Sequence, residues 1–447
     1  MAKDLTVGSP GKVLTWFALP MVVSVVFQQF YNIADNVVAG QLISDNALAA
    51  VSISYPMTMI YMAFALGINI GCSVVISQLF GSRQFQKMKT GVSTALLATG
   101  GVALVLTALG LLLMGPILTL LRTPAEIFSD TRAYLMIYTA GLLFIFIYNI
   151  CTGTFTAMGD STTPLIFLIL SSVANVFLDV WFVVSFHMGV AGCALATFLC
   201  QGAAALAAFV VLRKKLHQLS DEPYEKFSPS LLRQISVLAI PGILQQSFVS
   251  VGNLLIQGLV NGYDLPAIIG GYGAAVKLNT FAVTMLTTLS NSVSSFTAQN
   301  IGANQPERVP KGVRGGILLS LCVVLPFFVL YVFFGDVAMR LFVKAESTEV
   351  IAVGVTYLRI VAPFYAVAAA KLVCDGVLHG TGAVKCFMAT TFTDLIIRVV
   401  LAYILPHWFG YVGIWMSWPV GWCVSAALSV WFYTSGKWKG TGFLERL

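Results

Sequence analysis

Phe30-Tyr-Asn32-Ile-Ala-Asp35-Asn-Val-Val-Ala-Gly40 places one carboxylate in the middle of an apolar run. A charge at that depth in a bilayer costs roughly 2.5–3.5 kcal/mol on insertion scales, and chains that carry one use it for an ion, a proton or a substrate. The surrounding stretch has a second copy. Setting Pro20 on Pro241 (241 − 20 = 221) brings Asn32 onto Asn253, Gln78 onto Gln299, Gly81 onto Gly302 and Gly91 onto Gly312 without a gap. The second copy holds Ile256 where the first holds Asp35. A duplicated membrane protein with its acid in one half only points to a transporter with an asymmetric coupling site.

Composition agrees with a membrane location. Of 447 residues 58% are hydrophobic and only 10% charged, and the mean hydropathy is +0.88, too few charges to cover a soluble protein of this size. Met1 to Lys12 is short and polar, so no cleavable signal is expected. Twelve apolar segments run at about 13–39, 47–80, 91–121, 132–157, 163–186, 190–212, 232–261, 268–300, 312–338, 350–378, 386–405 and 411–434, most of them sufficient for a hydrocarbon core of ~30 Å. The duplication continues through them: Tyr134-Leu135 falls on Tyr357-Leu358, Gly153 on Gly376 and Gly159 on Gly382, and then Gly189 and Gly192 on Gly410 and Gly413. The expected fold is an all-α polytopic membrane protein, with twelve transmembrane helices in two pseudo-symmetric six-helix lobes, 1–222 and 223–447. Asp221-Glu222-Pro223 breaks the chain between them. Parallel repeats of this kind work by alternating access.

Basic residues set the orientation. Lys3, Lys12, Arg83, Lys87, Lys89, Arg213 to Lys215, Arg308, Lys311, Arg314, Lys437 and Lys439 gather at one set of segment ends, against Arg122, Arg132, Arg340 and Lys344 at the other. The positive-inside rule then puts both termini and the central loop in the cytoplasm of a multi-pass protein of the plasma (inner) membrane. The formal net charge of +7 is this topology signal, and no nucleic-acid partner is expected. All eight cysteines lie within apolar segments and lack metal-ligand spacing, so they read as packing residues.

Gln28, Asn32 and Asp35 recur at i, i+4, i+7 on the first segment, with Tyr31 a turn before Asp35 and Pro20 as a bending point. Asn175 and Asp179 are i, i+4 on the fifth, and Asn149 and Thr197 add polar groups on the fourth and sixth. Two carboxylates with amide and hydroxyl oxygens suit a small hard cation and equally a proton carrier. The bland alternative, for Asn149 or Thr197 taken singly, is hydrogen-bond glue between helices. In the second half Lys371 and Asp375, and Asp394 and Arg398, are i, i+4 pairs expected to neutralise themselves; the alternative is a part in substrate choice or gating. Lys277 has no local partner. Of the histidines, His187, His217 and His407 fall near segment ends and His379 in a turn. No Walker pattern and no nucleophile–base set occurs, so an enzyme is not expected.

Pro20, Asp35, the Gly153-x-x-x-Ala-Met-Gly159-Asp160 turn, Asn175-x-x-x-Asp179 and Gly189-Val-Ala-Gly-x-Ala-x-Ala-Thr197 together resemble the multidrug and toxic compound extrusion (MATE) family, and within it the DinF-like branch. The resemblance covers the whole chain. It implies a cation site formed by Asp35, Asn149, Asn175, Asp179 and Thr197, with Na⁺, if that is the ion, at Asp35, Asn175 and Asp179, and Pro20 as the bend of the first helix. The family's other large bacterial branch uses acids on helices seven and ten; Val249 and Ala369 stand there in this chain, which speaks against a second-lobe cation site of that type.

The expected function is secondary antiport, exporting amphipathic organic compounds, cationic by the family's habit, in exchange for H⁺ or Na⁺, with no cofactor besides the coupling ion. The chain is expected to act as a monomer in the lipid bilayer on a small-molecule substrate. Gln28, Tyr31, Asn32, Phe64, Tyr148, Phe155 and Lys277 are the cavity candidates. The runner-up is a lipid or lipid-linked oligosaccharide flippase of the same superfamily, which Lys277, Lys371 and Arg398 favour and the two first-half acids oppose. A major-facilitator carrier is disfavoured because Gly81-Ser-Arg-Gln-Phe-Gln-Lys87 lacks that family's loop pattern.

Overall fold

The structure is a computed structural model. It describes residues 4–37, 45–120, 123–344 and 346–440, with the side chains of 32–37 and 45–48 outside that description. Asn32 and Asp35 therefore lie outside the described side chains, although the helix backbone runs past them. Arg122 lies outside altogether.

The described residues form helices and turns, with no strand among them. In chain order the helices are α1 (Pro10–Val37), α2 (Asp45–Gly81), α3 (Phe85–Leu120), α4 (Ala125–Ala140), α5 (Leu142–Ala157), α6 (Thr162–Val184), α7 (Gly189–Leu219), α8 (Pro229–Asn261), α9 (Pro266–Gly302), α10 (Val309–Phe333), α11 (Gly335–Arg340), α12 (Thr348–Val361), α13 (Tyr365–Thr381), α14 (Val384–Ile404), α15 (Pro406–Phe409) and α16 (Tyr411–Thr434). Among the described residues nine helical segments are long and apolar enough to cross a membrane, ten when α4 and α5 count as one span bent by 46°. The two further long helices are α9, rich in serine, threonine, asparagine and glutamine, and α16, rich in tryptophan. These residues score low on hydropathy yet pack well inside a bundle. Together they make the twelve membrane helices that the sequence predicts.

Three expected segments are broken. The fourth is two helices meeting at Gly141, the ninth is α10 and the short α11 meeting at Phe334, and the tenth is α12 and α13 joined by the short 3-10 turn Ala362–Phe364. Pro363 explains the break in the tenth, since a proline cannot donate to the preceding turn.

The chain forms two compact units, Val23–Leu244 with Asp4, and Leu5–Val22 with Gln245–Leu447. The division falls inside α1 shortly after Pro20 and inside α8 shortly after Pro241, at equivalent places in the repeat. In the first unit α2 packs on α5 and α4, and α7 packs on α6, α5 and α4. Gly67 and Gly71 give α2 a small-residue face where α8 lies close. A Cβ on Gly71 would stand 2.6 Å from the Ala239 nitrogen and 2.8 Å from the Ile235 carbonyl oxygen, both backbone atoms that cannot swing aside. In the second unit α9 packs on α13, α12 and α10, and α16 packs on α14 and α13, around a core rich in tyrosine and tryptophan.

Backbone geometry repeats with the sequence. Gly159 and Gly382 both hold positive φ, at 76° and 81°, and so do Arg83 and Asn304, at 58° and 57°. The left-handed region costs an L-residue roughly 1–2 kcal/mol, so its recurrence at duplicated positions marks the same turn built twice.

The turn at Gly159 leads into a buried ion pair. Asp160 is 1% exposed, accepts from the Thr163 backbone N–H (3.1 Å) and hydroxyl (2.6 Å), and pairs with Lys215 of α7. It thus caps α6 and ties that helix to α7. Burial pushes the Asp160 carboxyl up, but the bonds from Lys215 and Thr163 outweigh it and hold the group below its ordinary value. A carboxyl depressed in the folded state contributes stability above its unfolded pKa of about 3.9, and loses that stability as pH falls through the folded value. Lys215→Met removes the chief lowering partner and leaves burial in control. The variant is therefore expected to be less stable than the parent near pH 7 and to regain stability as pH falls, where the parent loses it, which unfolding curves taken between about pH 3 and pH 7 will read.

Candidate functional site

The polar groups of the first unit meet between α1, α6 and α7. Asn175 and Asp179 are 3% and 1% exposed; their i, i+4 spacing stacks them on one face of α6. The Asn175 amide nitrogen donates to Asp179 Oδ2 (3.2 Å) and Tyr31 Oη (3.0 Å), and its oxygen accepts from the Thr197 backbone N–H (3.1 Å). The opposite amide orientation would set oxygen against acceptors and nitrogen against a donor, so this orientation is the one assigned. One side chain thereby joins three helices: α1 through Tyr31, α6 through Asp179 and α7 through Thr197. Cys200, one turn after Thr197, also faces Asn175 and Asp179.

Several candidate residues have other surroundings. Asn149, half-buried on α5, donates to the Ile145 carbonyl of its own helix (2.8 Å). Gln28 is exposed on α1, while Phe64 on α2 and Tyr148 on α5 are half-buried. Phe155 is fully buried, packed on Phe167 (6.3 Å between ring centroids) with the Lys215 ammonium 5.0 Å from its ring centre. α1 continues through Pro20 as a single helix. Asn69, which the sequence did not single out, is on α2 against Gly153 of α5, with its Oδ1 buried and unpartnered.

In the second unit Lys371 and Asp375 pair within α13 at 3.1 Å, as their spacing predicts. Asp394 and Arg398 do not. Asp394 Oδ2 turns to Lys371 instead, at 3.6 Å, and the Arg398 guanidinium lies over Trp418, 4.2 Å from the ring centre. The i, i+4 expectation fails because Lys371, from another helix, outcompetes the local arginine. Asp375 Oδ1 accepts from the Thr390 and Ser429 hydroxyls (2.8 and 2.7 Å). Lys277 is exposed and lines an open groove of about 480 Å³ with Lys344, Phe342 and Val350. His379 lies in the last turn of α13 rather than in a loop, its Nδ1 3.1 Å from Ser294 Oγ. Among the described residues no group of three or more His, Cys, Asp or Glu is arranged to hold a metal ion.

A duplicated bundle of membrane helices with a buried acid, Asp179, in a side-chain network that joins three helices is the architecture of a membrane transporter. The MatE family model matches this chain twice, over residues 20–181 and 241–404, the two matches starting 221 residues apart as the repeat does. The chain belongs to the MatE family, whose members are transporters. It is similar to "Probable multidrug resistance protein YpnP" of Bacillus subtilis (strain 168), 29% identical over 98% of each chain. It is also similar to the "FAD transporter" of Shewanella oneidensis, 26% identical over 71% of this chain and 70% of that one. Among solved structures, a MOP superfamily transporter from Pyrococcus furiosus superposes with a TM-score of 0.91 over 98% of both chains, at 21% identity; that likeness concerns the fold.

Proposed function

We propose that this chain exports amphipathic organic compounds, cationic ones among them, by secondary antiport against an inward H⁺ or Na⁺ gradient. Asp35, Asn175, Asp179 and Thr197 would form the coupling site. The observation that carries this reading is the Asn175 network, which ties a buried carboxylate on α6 to the helix that bears Asp35 and Pro20. Cation binding neutralises the acids and removes the reason for Tyr31 and Asn175 to hold α1 as they do. α1 is then free to repack around Pro20, where backbone hydrogen bonding is weakest. Cargo and cation need not touch, provided that they favour opposite conformations. Asn149 stands outside the geometry that supports the site and is retained as an outer ligand only. The protein is placed in the plasma membrane as a monomer, with both termini cytoplasmic.

The names of several relatives, multidrug resistance and multidrug export proteins, support a broad cargo range. The test is efflux of a fluorescent organic cation from proteoliposomes, with pH and sodium gradients imposed separately. One of the two gradients is expected to drive transport and the other to be inert. Equal transport without either gradient would sink the antiport reading.

A further inference from the structure

The second unit buries an arginine that the local chain does not use. Arg398 is 6% exposed. Among the described residues it makes neither an ion pair nor a hydrogen bond; it lies over the Trp418 ring with Tyr272, Tyr357 and Lys371 within electrostatic reach. A guanidinium stays charged at every accessible pH and presents five N–H donors in a rigid fork. Holding one at such low exposure without acceptors is costly. Asp394 is one turn away on α14 yet gives Oδ2 to Lys371, and its Oδ1 has no hydrogen-bond partner.

Two more donors beside it are in the same condition. The Trp415 indole Nε1 and the Tyr357 hydroxyl are buried without a hydrogen-bond partner. Tyr357 touches both Trp415 and Trp418, with centroids at 5.5 and 6.5 Å, and Tyr272 stacks on Trp415 at 4.8 Å with planes 3° apart. Other hydroxyls of this core are satisfied. In the same core the Tyr331 hydroxyl donates to the Leu278 carbonyl (2.9 Å) and the Tyr365 hydroxyl to Asn279 Oδ1 (3.0 Å).

We propose that Arg398, with Trp415, Trp418 and Tyr357, forms a second cargo site for the carboxylate, or an equivalent planar oxyanion, of an aromatic compound. A guanidinium and an indole N–H can only donate, so they reject a cation and accept an oxyanion, which the fork binds through two parallel N–H···O bonds. The flat rings supply walls for an aryl body. Arg398 and Trp418 keep 6% exposure each, whereas Trp415 and Tyr357 are at 0%, so the oxyanion meets the Arg398–Trp418 pair first and the inner donors afterwards. Of the two carboxylates of the cluster, Asp375 is held by Lys371, Thr390 and Ser429, and Asp394 turns its Oδ2 to Lys371 rather than to Arg398. Only the word cargo rests on the export reading; the binding site stands without it.

The test is isothermal titration of the full chain in lipid nanodiscs, without any gradient. Naphthalene-2-carboxylate is compared with its neutral carboxamide and with 2-naphthylmethylammonium. The carboxylate is expected to bind at least about tenfold more tightly than either. Arg398→Gln is expected to erase that preference while leaving carboxamide affinity unchanged, a pattern that misfolding does not produce. Wild-type protein that binds carboxylate no better than carboxamide overturns the proposal without recourse to any variant, and so does a preference that survives Arg398→Gln. Because these titrations use no gradient, a failed anion site leaves antiport standing, and failed antiport leaves the anion site standing.

Discussion

Asp179→Asn is expected to reduce gradient-driven export to the rate seen with no gradient, while the variant still folds. Asparagine matches aspartate in shape and keeps a carbonyl oxygen for the Asn175 amide, which now bonds Asp179 Oδ2 at 3.2 Å. What is lost is the change in charge. A gradient biases a transporter only through groups whose ion occupancy differs between its two conformations. One pH unit across the membrane is worth about 1.4 kcal/mol per proton, roughly tenfold in an equilibrium, and 100 mV adds about 2.3 kcal/mol per charge. An amide at position 179 couples to neither. Initial efflux rates with and without the driving gradient read the ratio directly, and a ratio that stays at the parental value would refute a coupling role for Asp179. Thr197→Val provides the contrast. Thr197 holds Asn175 chiefly through its backbone N–H at 3.1 Å, and the Oγ1 contact that the reverse amide orientation would give is 3.5 Å. Loss of the hydroxyl is therefore expected to cost far less than loss of the carboxylate.

Much of this architecture was legible in the chain because duplication and hydropathy are properties of sequence order. The 221-residue offset that aligns Pro20 with Pro241 returns in the starting points of the two family matches and in paired left-handed turns. The bend between α4 and α5 was not legible. It falls at Gly141 with no proline beside it, and Gly141 packs against Phe198 of α7, a neighbour that sequence order does not reveal. In the site, Asn175 and Asp179 were readable because helical spacing alone puts them on one face. Tyr31 was placed a turn before Asp35 and named as a cavity residue; its bond to Asn175 depends on how α1 meets α6, which is tertiary. The same limit undid the Asp394–Arg398 pair. Spacing brings those two residues within reach, but the choice of partner was made by Lys371 on another helix, and periodicity within α14 has no access to that competitor.

Lys371 is consequently the residue on which the charged core of the second unit depends. It is 5% exposed and reaches Asp375 at 3.1 Å and Asp394 at 3.6 Å, carboxylates that are themselves 2% and 7% exposed. Removing one partner of a buried ion pair typically costs about 3–5 kcal/mol, because the remaining charge has neither water nor a counter-ion. Lys371→Met fills similar space with an apolar chain and leaves two such charges, so a loss at or above that range is expected. The two carboxylates do not contribute equally. Asp375 retains the Thr390 and Ser429 hydroxyls at 2.8 and 2.7 Å, whereas Asp394 retains no hydrogen-bond donor among the described residues. Adding Asp394→Asn to Lys371→Met should therefore recover more stability than adding Asp375→Asn, which would strand the two hydroxyls' preferred acceptor. Cys374, buried at 3% on the same helix, provides the readout: its reaction with a thiol-specific fluorophore during heating or denaturant titration reports opening of this core. A Lys371→Met variant that unfolds within about 1 kcal/mol of the parent would show that the carboxylates are compensated elsewhere. Recovery by Asp394→Asn would place the cost on the one acid whose local arginine had turned away to Trp418.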